Sequence, residues 1–291
     1  MAYSGIDPRY EELGIIDRGA IGIVRLVRDA KLLREVAIKT LRPELADDPS
    51  CVEQLIGEAQ ITSQMDHPNI IPVYELGIDA EGKPYFAMKA VRGPTLHRWL
   101  ADARRPVGSA ERLSEGLDVF QKVCGAISFA HSRGVIHRDL KPANIMVGGL
   151  GQVYVIDWGL ARLVRRDASG TALAHDRLFK SSPVGTVAYM SPEAALGEGS
   201  TCDKRTDVFG LGAILYEILT GTAPYSGGSS IATKWQRARA GEYTPIDRVL
   251  GGVAVSEELR RIVYKALARK RERRFQTAAE LKSHVQRFLR G

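Results

Sequence analysis

The chain has 291 residues, of which 44% are hydrophobic and 26% charged, enough for one large domain or two lobes sharing a cleft. That balance excludes a disordered or low-complexity protein. The net charge of +7 is partly local: RRIVYKALARKRERRF, Arg260 to Phe275, is strongly basic but has Ile262, Ala266 and Leu267 at helical spacing. It therefore reads as a solvated helix face with a few structural arginines, and no nucleic-acid module signature accompanies it.

Cys51, Cys124 and Cys202 are odd in number, far apart and form no CxxC pair, which argues against a disulfide framework or zinc site and fits a reducing cytosol. The longest apolar run, DVFGLGAILYEILTG (Asp207–Gly221), is interrupted by Glu217 and fits a buried helix better than a membrane span. MAYSGIDPRYEEL lacks the basic and apolar regions of a secretory signal.

In chain order, the first ninety or so residues read as strand-rich. IIDRGAIGIV (Ile15–Val24) approximates a glycine-rich phosphate loop, G-x-G-x-x-G-x-V. Gly19, Gly22 and Val24 fit it, but Asp17 replaces the first glycine. Alone, the stretch is equally a working cradle, a disabled one or no nucleotide loop. GIVRLVRD alternates apolar and polar residues, DAKLLR suits a hairpin turn, and REVAIKTL is a compact β-branched run. CVEQLIGEAQITSQM carries Leu55, Ala59, Thr62 and Met65 as a helical stripe. HPNIIPVYELGI and PYFAMKAV then read as strands separated by DAEGK.

After VRGPTL the pattern becomes helical. Phe120, Val123, Ile127 and Ala130 line a helix that Gly134 closes, and VYVIDWG contains a short strand. Leu211, Leu215, Ile218 and Leu219 mark an apolar helix closed by Gly221. SEELRRIVYKAL opens on a cap signal at Ser256, and TAAELKSHVQRFL ends the chain. The coarse expectation is a small β-rich lobe followed by a larger helical one.

VAIK ends at Lys39, IGEAQ contains Glu58, and HRDLKPAN runs from His137 to Asn144. IDWG contains Asp157, SPE ends at Glu193, and TDVFGLG begins with Thr206-Asp207. Each is weak alone, but in this order they form a phosphotransferase signature. From about Tyr10 to Leu289 the chain resembles eukaryotic-like (Hanks-type) serine/threonine protein kinases, and phrases such as GTVAYMSPEAALG resemble the bacterial members.

The resemblance implies an α+β, bilobal protein-kinase fold over residues 1–291. The small antiparallel β-rich N-lobe with one key helix would span about 10–88, a hinge 89–92, and the larger, mainly helical C-lobe about 93–291. It implies ATP as phosphoryl donor, Mg²⁺ (or Mn²⁺) as cofactor and protein substrates with serine or threonine acceptors. Positioning and charge neutralisation dominate such chemistry. Lys39 would hold the α- and β-phosphates, oriented by Glu58; Asp139 would take the hydroxyl proton and Lys141 would stabilise the transferring charge. Asn144 and Asp157 would be metal ligands, as oxygen donors suit a hard cation. The phosphate loop would comprise Ile16, Asp17, Arg18, Gly19, Ala20, Ile21, Gly22, Ile23 and Val24. Adenine would lie between Val24 and Ala37 above and Met146 below, with Met88 as gatekeeper and Lys89 to Val91 as hinge, the Lys89 side chain in solvent. Glu193 would pair with Arg274, and Asp207 would anchor the catalytic-loop backbone.

Thr186 is similar to the threonine that contacts the catalytic aspartate and lysine in serine/threonine members, and Arg138 to arginines that await an activation-loop phosphate. Ser182, or neighbouring Ser181, is the expected phosphosite, modified in trans through transient self-association. Asp17, Trp158 (for the phenylalanine of D-F-G) and Ser191 (for the alanine of A-P-E) depart from the family pattern; the tryptophan should still plug a core and the serine be tolerated. The alternative is a pseudokinase or scaffold whose nucleotide site is weakened by Asp17. A small-molecule kinase of related fold is disfavoured by SPE and TDVFGLG. The expected location is cytoplasmic, as a whole kinase or as the cytoplasmic portion of a longer membrane-anchored protein.

Overall fold

The computed structural model describes residues 6–163, 187–197, 202–227, 230–251 and 254–291. The N-terminal part is an antiparallel sheet of β1 (Tyr10–Arg18), β2 (Gly22–Asp29), β3 (Arg34–Leu41), β4 (Val73–Ile78) and β5 (Pro84–Lys89), in the order β1-β2-β3-β5-β4. One helix, α1 (Pro49–Ser63), packs on it. Because side chains alternate across a pleated sheet, two separate cores form. Val27, Val36, Ile38, Tyr85 and Ala87 share one, while Leu41 and Phe86 meet Leu55 and Ala59 of α1 in the other. Asp48 starts α1 by accepting from the Ser50 and Cys51 amides (2.8 and 3.3 Å), with Pro49 in the first turn where its missing N–H costs nothing.

The C-terminal part follows with α2 (Leu96–Leu100), α3 (Ala110–Ser132) and the short strands β6 (Val135–Ile136), β7 (Ile145–Val147), β8 (Val153–Val155) and β9 (Arg162–Leu163). β6 pairs with β9 and β7 with β8. Then come α4 (Pro192–Ala195), α5 (Lys204–Thr220), α6 (Ile231–Ala240), α7 (Ile246–Leu250), α8 (Glu257–Ala266) and α9 (Ala278–Arg290). Every residue of α5 from Thr206 to Thr220 is buried, so it is the axis against which α3, α8 and α9 pack. Asp203 caps its start through the Arg205 amide (2.8 Å), and Gly221 ends it at φ 73°. Gly134, also left-handed at φ 77°, closes α3 as expected. In the basic segment, Arg260 and Arg261 pair with Glu257 while Ile262, Ala266 and Leu267 are buried.

Three expectations need correction. HPNIIPVYELGI is a strand only from Val73, because Pro68 and Pro72 can donate nothing to a ladder. Its first half instead clips onto β8: the Val155 amide donates to Asn69 O (2.8 Å), the Ile71 amide to Val155 O (3.2 Å), and Asn69 Nδ2 to Val153 O (2.9 Å). This stitches the sheet to the helical lobe. Ser256 precedes α8, but its hydroxyl makes no cap bond. Finally, the Lys89 ammonium lies over the Tyr154 ring, 5.3 Å from its centroid, rather than in open solvent, since an aromatic face is a favourable seat for a cation.

Candidate active site

The β1–β2 connection is tightened by the Gly19 amide donating to Gly22 O (2.9 Å). A Cβ on Gly22 would stand 2.8 Å from Thr40 O of β3, so the fold itself requires that glycine. At Gly19 the nearest atom would be Gly22 O at 3.6 Å, so a side chain there would crowd nothing in the protein. Asp17 pairs in register with Val24 and is exposed at the strand end.

Register carries Lys39 inward from this loop: Val24 pairs with Lys39 and Ala37 with Met88. The Lys39 ammonium donates to both Glu58 oxygens (2.7 and 2.8 Å) and lies 3.5 Å from Asp157 Oδ1. Burial alone would lower the lysine's pKa, but Glu58 and Asp157 overcome it and hold the ammonium charged well above its ordinary range. Burial pushes Glu58 up, opposed by Lys39, whereas Lys39 draws Asp157 below the usual carboxylate range against burial. The Asp157 side chain remains 44% exposed to the cleft.

The segment from His137 to Asn144 forms the floor. Asp207, at the start of α5, accepts from the His137 and Arg138 amides (both 2.8 Å) and from His131 Nε2 (2.7 Å). Those bonds keep its carboxyl below the ordinary range despite burial, which acts the other way. They also hold Arg138 in the left-handed region at φ 68°. Asp139 Oδ2 accepts from Lys141 Nζ at 2.6 Å, and Asn144 Nδ2 donates to Asp139 O (2.9 Å) and Oδ2 (3.2 Å). Asp139 Oδ1 is buried with no hydrogen-bond partner, an acceptor held ready in the floor of the cleft.

Asp157, also left-handed at φ 60°, is followed by Trp158, which is 1% exposed and packs on His137 with ring centroids 4.5 Å apart. The tryptophan is thus a core plug, as expected. Ser191 is buried, but its hydroxyl has no hydrogen-bond partner, a detail the reading of it as small and tolerated did not contain. Glu193 and Arg274 pair through both guanidinium nitrogens (2.8 Å each). Val24, Ala37 and Met88 are set by the sheet, and Met146 by β7, where it bridges to Thr95. Ser181, Ser182 and Thr186 lie outside the described residues.

Sequence reasoning missed two contacts made by side chains of flanking residues. Gln54 Nε2 donates to Gly159 O (3.1 Å), and Arg138 Nε donates to Leu160 O (2.7 Å). It also missed His131, although a histidine in the last turn of α3 stands six residues before His137. Among the described residues no helix is long and apolar enough to cross a membrane.

The protein kinase domain family model matches residues 10–286. Serine/threonine-protein kinase PknB of Mycobacterium leprae is 38% identical over 289 residues, covering 98% of this chain and 44% of that protein. PknB of Mycobacterium tuberculosis is 38% identical over 291 residues (99% and 44%), and PknD of Protochlamydia amoebophila 34% over 310 residues (97% and 30%). The chain therefore spans less than half the length of these relatives. Sheet, helical lobe, the Lys39–Glu58 pair and the Asp139 loop converge with these matches on one conclusion: the chain belongs to the protein kinase domain family, whose members use ATP and a divalent metal.

Proposed function

We propose that this chain transfers the γ-phosphate of ATP to serine or threonine hydroxyls of protein substrates, with Mg²⁺ as the divalent ion. The carrying observation is the convergence, from separate elements, of Lys39 held by Glu58 and Asp157, and of Asp139 held by Lys141 and Asn144 with Oδ1 unpaired. The donor set fits the metal: Asn144 and the partly exposed Asp157 offer hard oxygens. Among the described residues no cluster of three or more His, Cys, Asp or Glu is present, which suits an ion shared with substrate phosphates and water. Asn144 and Asp157 would hold the ion, which would supply neutralisation of the phosphate charge.

The chain's own residues do the rest. Lys39, fixed by Glu58, orients the phosphates, while the apolar Val24, Ala37 and Met146 flank the adenine. Asp139 Oδ1 accepts the acceptor hydroxyl's proton as its oxygen bonds to the γ-phosphorus and the bond from that phosphorus to ADP breaks. Lys141, tied to the other Asp139 oxygen at 2.6 Å, offsets negative charge on the phosphoryl oxygens. The proton then leaves Asp139 to solvent.

Phosphoryl transfer to casein as a generic acceptor, from ATP labelled at the γ-phosphate, tests this. Wild type should exceed Asp139→Asn by about 10²-fold or more, the usual worth of a positioned base; equal rates would sink the proposal. The scaffold alternative gains no support, since no residue of the proposed machinery is missing and Asp17 faces solvent. The reading extends to trans-autophosphorylation at Ser181 or Ser182 through transient self-association, and both serines unmodified in active protein would exclude it. Its location is then the cytoplasm or the cytoplasmic side of a membrane-anchored protein.

A further inference from the structure

Two successive carbonyls after Asp157 are taken by side chains from opposite sides of the cleft. Gln54, on α1, donates to Gly159 O at 3.1 Å, and Arg138, from the Asp139 loop, donates to Leu160 O at 2.7 Å. Gln54 lies one turn before Glu58, on the same face of α1. The Gln54 hydrogen bond and the Glu58–Lys39 ion pair therefore leave the same face of α1. The spacing is tight. A Cβ on Gly159 would meet Glu58 Oε2 at 3.1 Å, Gln54 Nε2 at 3.3 Å and Asp157 Oδ1 at 3.5 Å, so α1 sits against bare backbone there. No other side-chain hydrogen bond joins α1 to the 157–161 segment among the described residues.

We infer that Gln54 is a positioning residue. It clasps α1 to the turn that carries Asp157, so that the Lys39–Glu58 pair and Asp157 assemble together. The inference rests on the proposed roles of Lys39 and Glu58. Glu58 is 7% exposed, and its two oxygens take the Lys39 ammonium at 2.7 and 2.8 Å. A helix free to swing away would lose the ion pair rather than stretch it.

The test compares Gln54→Met, which keeps the length and unbranched shape but has no N–H, with Gln54→His, which keeps a donor at similar reach. Both are assayed for phosphoryl transfer to casein, alone and in a Glu58→Gln background, with hydrogen exchange of the α1 amides measured in parallel. Losing one partly buried neutral hydrogen bond corresponds to about 3–10-fold. Gln54→Met should lower kcat/KM by that factor and speed α1 exchange, Gln54→His should restore both, and Gln54→Met should cost less than about 2-fold more once Glu58 is already glutamine. A full additional loss in that background, or unchanged rates and exchange in Gln54→Met, overturns the inference. If Glu58→Gln itself costs nothing, it is the underlying reading of the Lys39–Glu58 pair that fails.

Discussion

Glu193→Gln should destabilise the helical lobe by about 3–5 kcal/mol, because it discharges one half of a desolvated ion pair and leaves the other half buried. The Arg274 side chain is fully buried and that of Glu193 is 6% exposed. The guanidinium makes five hydrogen bonds: two to Glu193 (2.8 Å each) and one each to the Ala268, Arg205 and Arg269 carbonyls (2.7, 3.0 and 3.1 Å). Glu193 also accepts from Thr206 Oγ1 at 2.9 Å. Glutamine preserves the shape, but its NH₂ group meets a guanidinium that can only donate. In a protein of this size the loss should appear as a drop in Tm of roughly 6–12 °C by calorimetry at pH 7.5.

Joint replacement, Glu193→Leu with Arg274→Met, should lie closer to wild type than either single variant, since a matched apolar pair leaves no stranded charge. Acid should erase the difference between wild type and Glu193→Gln. Burial pushes the Glu193 carboxyl up, but Arg274 and Thr206 hold it below its ordinary value. Its contribution is therefore complete above the unfolded pKa of about 4.3 and disappears as pH falls through the folded value. A Tm for Glu193→Gln within 2 °C of wild type at pH 7.5 would refute the reasoning.

Ser191→Ala and Tyr225→Phe each remove a buried hydroxyl with no hydrogen-bond partner, so each should be neutral or stabilise by up to about 1 kcal/mol in chemical denaturation. A loss beyond that from either would reveal a partner for the hydroxyl. Gly22→Ala forces a Cβ to 2.8 Å from Thr40 O and should cost about 1–3 kcal/mol, whereas Gly19→Ala, with 3.6 Å of room, should leave Tm unmoved. Equal effects at the two glycines would contradict that geometry. Asp17→Gly should lower the KM for ATP about 2–5-fold at low salt with little change in kcat, the gain shrinking as salt screens the exposed carboxylate. An unchanged KM would count against any electrostatic penalty at Asp17.

Elements were legible wherever local chemistry alone dictates them. REVAIKTL became β3 over Arg34–Leu41, because the β-branched Val36, Ile38 and Thr40 favour a pleated, half-buried surface. Gly134 and Gly221 ended their helices because only a left-handed residue closes those turns without strain. Apart from the missing cap bond at Ser256, the misreadings share one cause, a partner distant in sequence. Ile70 and Ile71 look like strand, yet the hydrogen bonds of Asn69 and Ile71 go to β8, more than eighty residues on. Lys89 looks like a solvent lysine until Tyr154 is placed beneath it. Gln54 looks like an ordinary surface helix residue, and nothing nearby in sequence announces the Gly159 carbonyl it reaches.

The candidate site shows the same division in a sharper form. Residue types at Lys39, Glu58, Asp139, Asn144 and Asp157 could be read from the motifs, but not the backbone that aims them. Arg138 and Asp157 both sit at positive φ without being glycine. Aspartate visits that region readily, whereas for arginine it costs of order 1–2 kcal/mol per residue. The cost at Arg138 is met by Asp207, whose two oxygens separately take the His137 and Arg138 amides at 2.8 Å, charge-assisted bonds about twice as strong as neutral ones. His131 in turn occupies one of those oxygens at 2.7 Å. The strained turn before Asp139 and the acidic residue opening an otherwise apolar helix are thus one device written in two places. A chain carrying HRD without the later aspartate would lose the two charge-assisted amide bonds that offset its left-handed arginine. The distant TDVFGLG motif therefore helps set the backbone of the Asp139 loop.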